Sequence, residues 1–198
     1  GSEMCIRDRG GGAYGGRGGR SETNVGTGQY SAVLPGGQIY GDVNITHLLG
    51  GSGGGGGNER SGGSGGGGIK IVAGGTLTIG GDISAVGGKG GARPNEARRS
   101  GGSGSGGTIY LKGDHVVINT GVSVNANGGD GADGITGGNS GATDGGGAGA
   151  AAGGGGRVYL EAISTLVNHE SPTNANLTAV GGTSPGARHG ADAVSYTH

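Results

Sequence analysis

Five consecutive glycines at Gly53–Gly57, four at Gly65–Gly68 and four at Gly153–Gly156 constrain this chain more than any other feature. Glycine makes up 60 of its 198 residues, roughly four times the usual share of about 7%. A glycine inside a helix costs about 1 kcal/mol relative to alanine, so these runs are not helical. They have no side chain to bury, and ordering them costs the most backbone entropy of any residue. With no Trp, no Phe and 4 Pro, the core must be a thin one of Ile, Val, Leu and Ala.

Between the runs the period is two, as in strands with one buried face. Gly68-Ile69-Lys70-Ile71-Val72 aligns with Thr108-Ile109-Tyr110-Leu111-Lys112 and with Arg157-Val158-Tyr159-Leu160-Glu161; the starts lie 40 and 49 residues apart (68 to 108, 108 to 157). More alternating sequence follows each: Thr76–Ile79, then His115–Ile118 after a Gly113-Asp114 turn, then Ser164–Val167. The units end alike, at Ile83–Gly88, Val124–Gly129 and Leu177–Gly182. Ile69, Ile71, Leu77, Ile79, Ile109, Leu111, Val116, Ile118, Val124 and Ala126 share the inward face, and Tyr110 and Tyr159 take equivalent outward positions.

Three short strands per unit, joined by Gly/Asp corners and repeated, predict an all-β fold: a parallel β-helix or solenoid of three to four coils. A β-sandwich of meandering hairpins is the alternative; the repeated strand-turn-strand-turn-strand order favours the solenoid. Residues 50–182 carry the repeats, 10–49 form a degenerate first unit with strands at Gln38–Tyr40 and Asp42–Leu48, and 183–192 continue the last one. Long glycine-rich excursions leave each coil at 50–68, 87–107 and 128–156. The bland reading is flexible linker. The other is packing against the solenoid as polyglycine-II-like segments of three residues per turn, whose N–H and C=O groups pair between neighbours.

The ends differ. Gly1–Arg9 (GSEMCIRDR) and Ala193–His198 (AVSYTH) resemble translated sequencing-adaptor read-through and are set aside from fold reasoning. Cys5 and Met4, the single Cys and Met, lie there, so the remainder offers no disulfide, thiol nucleophile or thiolate metal site. The formal charge of −1 gives no global pull toward nucleic acid or an anionic membrane, and no apolar run reaches the roughly 18 residues of a spanning helix.

The segment Gly74–Ala85 (GGTLTIGGDISA) resembles filamentous-haemagglutinin-type repeats, and the longer Gly62–Gly90 pattern resembles the glycine-rich repeats of bacterial cell-surface, adhesin-type proteins. The resemblance covers roughly 62–182. It implies a right-handed parallel β-helix and an extracellular or cell-surface location, and carries over no catalytic residue. The long excursions are more similar to the polyglycine loops of some phage tail adhesins.

Few motifs carry chemistry. Gly128–Thr136 (GGDGADGIT) fits the nonapeptide of calcium-binding β-rolls, with Asp130 and Asp133 as candidate Ca²⁺ ligands; Gly137–Gly145 breaks the pattern, and no other cofactor is indicated. Gly50–Gly54 and Gly62–Gly66 fit GxSxG, but a nucleophile elbow needs a following helix. Gly88-Lys89 lacks the rest of a P-loop. Tyr14–Arg20 (YGGRGGR) is too short in arginine for RNA binding. His47, His115, His169 and His189 have no partner at ligand spacing. Asp82, Asp114 and Glu161 read as solvated charges. Asn44-Ile45-Thr46 and Asn176-Leu177-Thr178 are sequons, relevant in a eukaryotic secretory route. The expectation is a non-enzymatic, structural or adhesive segment of a larger surface protein, with Tyr110 and Tyr159 as carbohydrate contacts and glycans or neighbouring repeats of the parent chain as partners. A carbohydrate-active β-helix and a calcium-binding module are the alternatives.

Overall fold

The computed structural model describes residues 10–19, 21–24, 30–42, 45–56, 60–91, 101–131, 151–168, 176–183, 190, 192 and 196–197. Asp133, the arginine-bearing stretch 92–100, His169, His189, 137–145 and the end segment 1–9 lie outside the described residues. The described chain is strand-rich and contains no helix.

Among the described residues ten strands form in chain order: β1 (Ser21–Asn24), β2 (Tyr30–Leu34), β3 (Gly68–Val72), β4 (Thr76–Ile79), β5 (Ile83–Ser84), β6 (Thr108–Ile118), β7 (Val124–Asn125), β8 (Arg157–Asn168), β9 (Leu177–Thr178) and β10 (Tyr196–Thr197). β1 and β2 make an antiparallel pair of their own. All other pairing is parallel. The larger sheet runs β10-β8-β6-β3, with β4 beside the second half of β6. The smaller runs β5-β7-β9. Ile69 pairs with Ile109 and Ile109 with Val158; Ile71 pairs with Leu111 and Leu111 with Leu160. The starts aligned in the sequence therefore lie side by side.

Three strand expectations need correction. Gly113-Asp114 is not a turn between two strands but the middle of one eleven-residue strand, and β8 likewise runs unbroken for twelve. Only the first unit is interrupted, where Gly74 and Gly75 stand together and weaken strand pairing. Second, Thr165, not Ser164, pairs with His115, so Leu166 falls opposite Val116. The register shifts past Gly113 because β8 has one residue more than β6 there. β3 and β4 also have one more: Val72 pairs with Lys112 but Thr76 with His115. The bulge absorbs the odd residue and keeps Leu77, Val116 and Leu166 in one column facing the core; a one-residue slip would turn Leu166 outward. Ile163, in the bulge, is left 68% exposed. Third, no strand forms among the described residues of 38–48.

The core lies between the two sheets. Ile109, Leu111, Ile118, Val158 and Leu160 of the larger pack with Val124, Leu177 and the flanking Ala85, Val122, Ala126 and Ala179 of the smaller. A fully buried side chain of this kind contributes about 1.5–3 kcal/mol.

The glycine-rich segments are ordered against this core through their backbones. Gly101–Gly107 is wholly buried. Its amides rotate among three neighbours. Gly101, Gly104 and Gly107 donate to the carbonyls of Gly91, Gly88 and Ala85; Gly102 and Ser105 donate to Gly55 and Ser52; Ser103 and Gly106 donate to Ala151 and Gly154, all within 2.8–3.1 Å. Its carbonyls accept from three further segments: Gly63 and Gly66 donate to Gly102 and Ser105, Gly12 to Ser103, and Gly129 to Gly104. A direction that recurs every third residue is the signature of the threefold polyproline-II path, which has no internal hydrogen bonds and must find every partner outside itself. The segment Gly10–Gly19, expected to open a degenerate strand unit, instead joins this lattice: Gly154 donates to Gly12 and Gly19 to Ala152.

Glycine is required by approach rather than by dihedral angle. A Cβ on Gly104 would lie 1.9 Å from the Ser64 carbonyl oxygen, and one on Gly106 1.8 Å from that of Ala126. The two serines in the segment fit because their hydroxyls act as further partners. Ser103 Oγ accepts from the Gly90 amide at 3.1 Å and donates to the Asp130 carbonyl at 2.5 Å; Ser105 Oγ accepts from the Ser52 amide at 2.9 Å.

These contacts predict a sharp positional contrast. Gly104→Ala forces backbone apart and should cost roughly 3 kcal/mol or more, the upper end of overpacking penalties. Gly74 has nothing within 4 Å of an added Cβ, so Gly74→Ala should be neutral or stabilising by up to about 1 kcal/mol. Urea denaturation followed by circular dichroism separates them; equal stabilities would refute the close-packed lattice.

Candidate functional site

The outer face of the larger sheet carries a group of polar and aromatic side chains. Parallel register makes rows of it. Lys70, Tyr110 and Tyr159 form one row, and the backbone of Tyr196 continues it. Val72, Lys112 and Glu161 form the next, two residues along.

Tyr110 and Tyr159 stack with ring centroids 5.2 Å apart and planes 5° from parallel. The Lys70 ammonium lies 4.8 Å from the centroid of the Tyr110 ring. Because Lys70 and Tyr159 come from strands on opposite sides of β6, the two faces of Tyr110 are covered, one by a ring and one by a cation. Tyr110 takes the outward position expected of it but is buried there, at 9% exposure, because cross-strand stacking consumes its surface. Tyr159 is half-buried.

The Tyr110 hydroxyl donates to Glu161 Oε2 at 2.6 Å, and Lys112 Nζ donates to Glu161 Oε1 at 2.6 Å. Glu161 is thus held from both sides rather than solvated. Burial pushes the Tyr110 phenol up to about 12, helped by its hydrogen bond to Glu161 and the charge of that carboxylate. The other two acids lie elsewhere. Asp82 accepts from the Ser123 amide at 2.8 Å in the corner after β4, and Asp114 sits at the bulge.

Above the first row of the face, a second aromatic group closes the sheet end. Arg157, 8% exposed, lies with its guanidinium 5.2 Å from the Tyr14 ring, and its Nη2 donates to the carbonyls of Tyr40 and Gly41. Tyr14 and Tyr40 meet at 5.0 Å with planes tilted by 52°. Thr108 Oγ1 hydrogen-bonds the Tyr14 hydroxyl at 2.7 Å. Gly41 turns with φ 74°, and a Cβ there would strike the Tyr14 ring at 2.8 Å. The YGGRGGR motif is therefore committed to the fold at Tyr14, which is 1% exposed. The Tyr110–Glu161–Lys112 network follows from the same alignment as the tyrosine pair, since Lys112 and Glu161 are each two residues on. The Arg157 contacts had no such signal, because their partners lie more than a hundred residues away.

Asp130, a candidate calcium ligand, lies next to last in the segment 126–131. Its Oδ1 accepts from the Thr183 amide at 2.7 Å and hydroxyl at 2.8 Å. These bonds hold its carboxyl below the usual range, with Lys89 a smaller influence. The carboxylate thereby ties two glycine segments together. No group of three or more His, Cys, Asp or Glu gathers at metal-binding distance among the described residues.

No family model matches the chain, and no curated protein or solved structure does.

The phenol geometry predicts a pH signature. A raised phenol pKa favours the neutral ring in the folded state. Its contribution to stability is present below the unfolded value of about 10 and is lost as pH rises through about 12. Tyrosinate absorbance of the wild type minus that of Tyr110→Phe should show a midpoint near 12, and Glu161→Gln should lower it. A midpoint at 10 in folded protein would contradict the network.

Proposed function

We propose that the chain is a non-enzymatic structural and adhesive segment of a larger extracellular or cell-surface protein, its units being coils of a right-handed parallel β-helix. The observation that carries this reading is the combination of in-register parallel units with glycine segments locked together by backbone bonds. Each unit pairs with the next, so the architecture extends along one direction, the arrangement suited to spacing and presentation. The stiff lattice holds the outer face of the larger sheet in place. On that face Tyr159, half-buried beside Lys112 and Glu161, combines an aromatic surface with charged hydrogen-bonding groups, which suits a glycan. In this reading Tyr110 acts beneath it, stacking behind the contacting ring.

A labelled sample of the whole chain on an array of bacterial and host polysaccharides tests the adhesive role. Binding to at least one polysaccharide class is expected, with about a tenfold loss in Tyr159→Ala, equivalent to about 1.4 kcal/mol. No binding, or binding unaffected by that substitution, would defeat the glycan assignment. Release of new reducing ends from a bound polysaccharide would show an enzyme instead.

A further inference from the structure

The outer face of the larger sheet is unevenly charged. Its rows Gly68-Thr108-Arg157, Lys70-Tyr110-Tyr159 and Val72-Lys112-Glu161 hold three cations and one carboxylate, in a chain whose formal charge is −1. That carboxylate is committed, since Glu161 accepts from both the Tyr110 hydroxyl and the Lys112 ammonium at 2.6 Å. It leaves Lys70 and Arg157 uncompensated. The contact described for Lys70, which is exposed, is the face of the Tyr110 ring. Arg157 meets the Tyr14 ring and the carbonyls of Tyr40 and Gly41, all uncharged. Its buried Nε has no hydrogen-bond partner among the described residues. Asp42, next in the chain to Gly41, turns both carboxylate oxygens to Thr46.

We propose, resting on the glycan reading above, that the ligand of this face is an acidic polysaccharide, its charge carried by the carboxylates of uronic acid residues, laid across the strands from Tyr159 to Lys70. Arg157 leaves β8 on the same side as Tyr159, two residues earlier, or about 7 Å along the strand. A buried charge is screened far less than an exposed one, so its field reaches the open part of the Tyr159 ring. Lys70 stands at the other end of the tyrosine row, two strand spacings or about 10 Å away. A sugar stacked on Tyr159 thus has a cation on either side, and the row is long enough for a stretch of polymer. Glu161 already shows this face holding a carboxylate between a phenol hydroxyl and an ammonium. A neutral glycan would keep the stacking and gain nothing from Lys70 or Arg157. A single-stranded nucleic acid needs a basic groove and several stacking rings; here one exposed lysine outside the Glu161 pair and one half-buried ring are on offer.

Interferometry with the full chain tests this against immobilised polygalacturonate, alginate and hyaluronate, the same polymers with their carboxyl groups reduced to alcohols, and single-stranded DNA. At least one polyuronate should bind about tenfold more tightly than its reduced form, and the difference should shrink as salt rises. Lys70→Gln should weaken that polyuronate about fivefold, the upper range for one exposed ion pair, leave the reduced polymer unaffected and leave the circular dichroism spectrum unchanged. Lys70→Arg should restore the affinity. Equal binding before and after reduction, or binding confined to neutral or sulfated polysaccharides, would overturn the acidic assignment, and loss of that binding in Tyr159→Ala would leave the glycan reading standing. Polyuronate affinity untouched by Lys70→Gln, or tighter binding of the DNA, would also overturn it. No binding to a polysaccharide of any class would overturn both.

Discussion

The fold depends on the distance between backbones. In the glycine segments a carbonyl oxygen of one strand of chain stands where the Cβ of its neighbour would be, at about the length of a hydrogen bond from the next amide. One backbone bond contributes roughly 0.5–1.5 kcal/mol net, and ordering one residue costs roughly 1–2 kcal/mol. A lattice of glycine alone is therefore near balance or below it. What makes it fold is the pair of sheets from which the central segments run. Gly107 leads directly into β6 and Gly156 into β8, and Ala85, Ala126 and Ala179 carry the chain from the smaller sheet back to the glycine side. The apolar core fixes where the segments begin and end, and so removes most of the freedom they would otherwise lose.

Much of the sheet was legible in the sequence because period-two alternation survives any amount of glycine between repeats. Aligning Ile69, Ile109 and Val158 is enough to set the parallel register of the larger sheet, and aligning Ile83, Val124 and Leu177 sets the smaller. The alignment failed at Ser164, since counting residues cannot tell whether an extra one is absorbed before or after a strand begins. Core parity decides it: Leu166 has to face inward. The packing of the excursions was weighed in the sequence but its pattern was not readable. Glycine carries no side chain whose chemistry could name a partner, and Gly104 and Gly75 are identical as letters although one admits no added atom nearby and the other meets open space.

The outer face shows a similar division. That Tyr110 and Tyr159 adjoin follows from register. That Tyr110 is enclosed, and Glu161 gripped by both Tyr110 and Lys112, follows from the neighbours that the larger sheet supplies on either side of β6. A tyrosine in the middle of three stacked units has its ring faces taken; one nearer the end of the stack retains surface. Position within the stack, more than residue type, decides which of two equivalent side chains remains open to a ligand. The Arg157 cluster adds that the other end of this face is sealed by a segment from the far side of the sequence, with Tyr14 and Tyr40 acting as a cover.

The rotation of the amides of Gly101–Gly107 among three neighbours imposes a rule on chain length. Each residue turns the donor direction by a third of a circle. Loss or gain of one residue inside the segment would redirect every later amide toward the wrong neighbour and, at the same time, move Ser103 or Ser105 to a place where backbone already stands. Changes in steps of three restore all the directions at once. Within its glycine segments the protein is thus bound by a triplet frame of its own, set by geometry, and length variation there is confined to multiples that leave each donor facing the acceptor it had before.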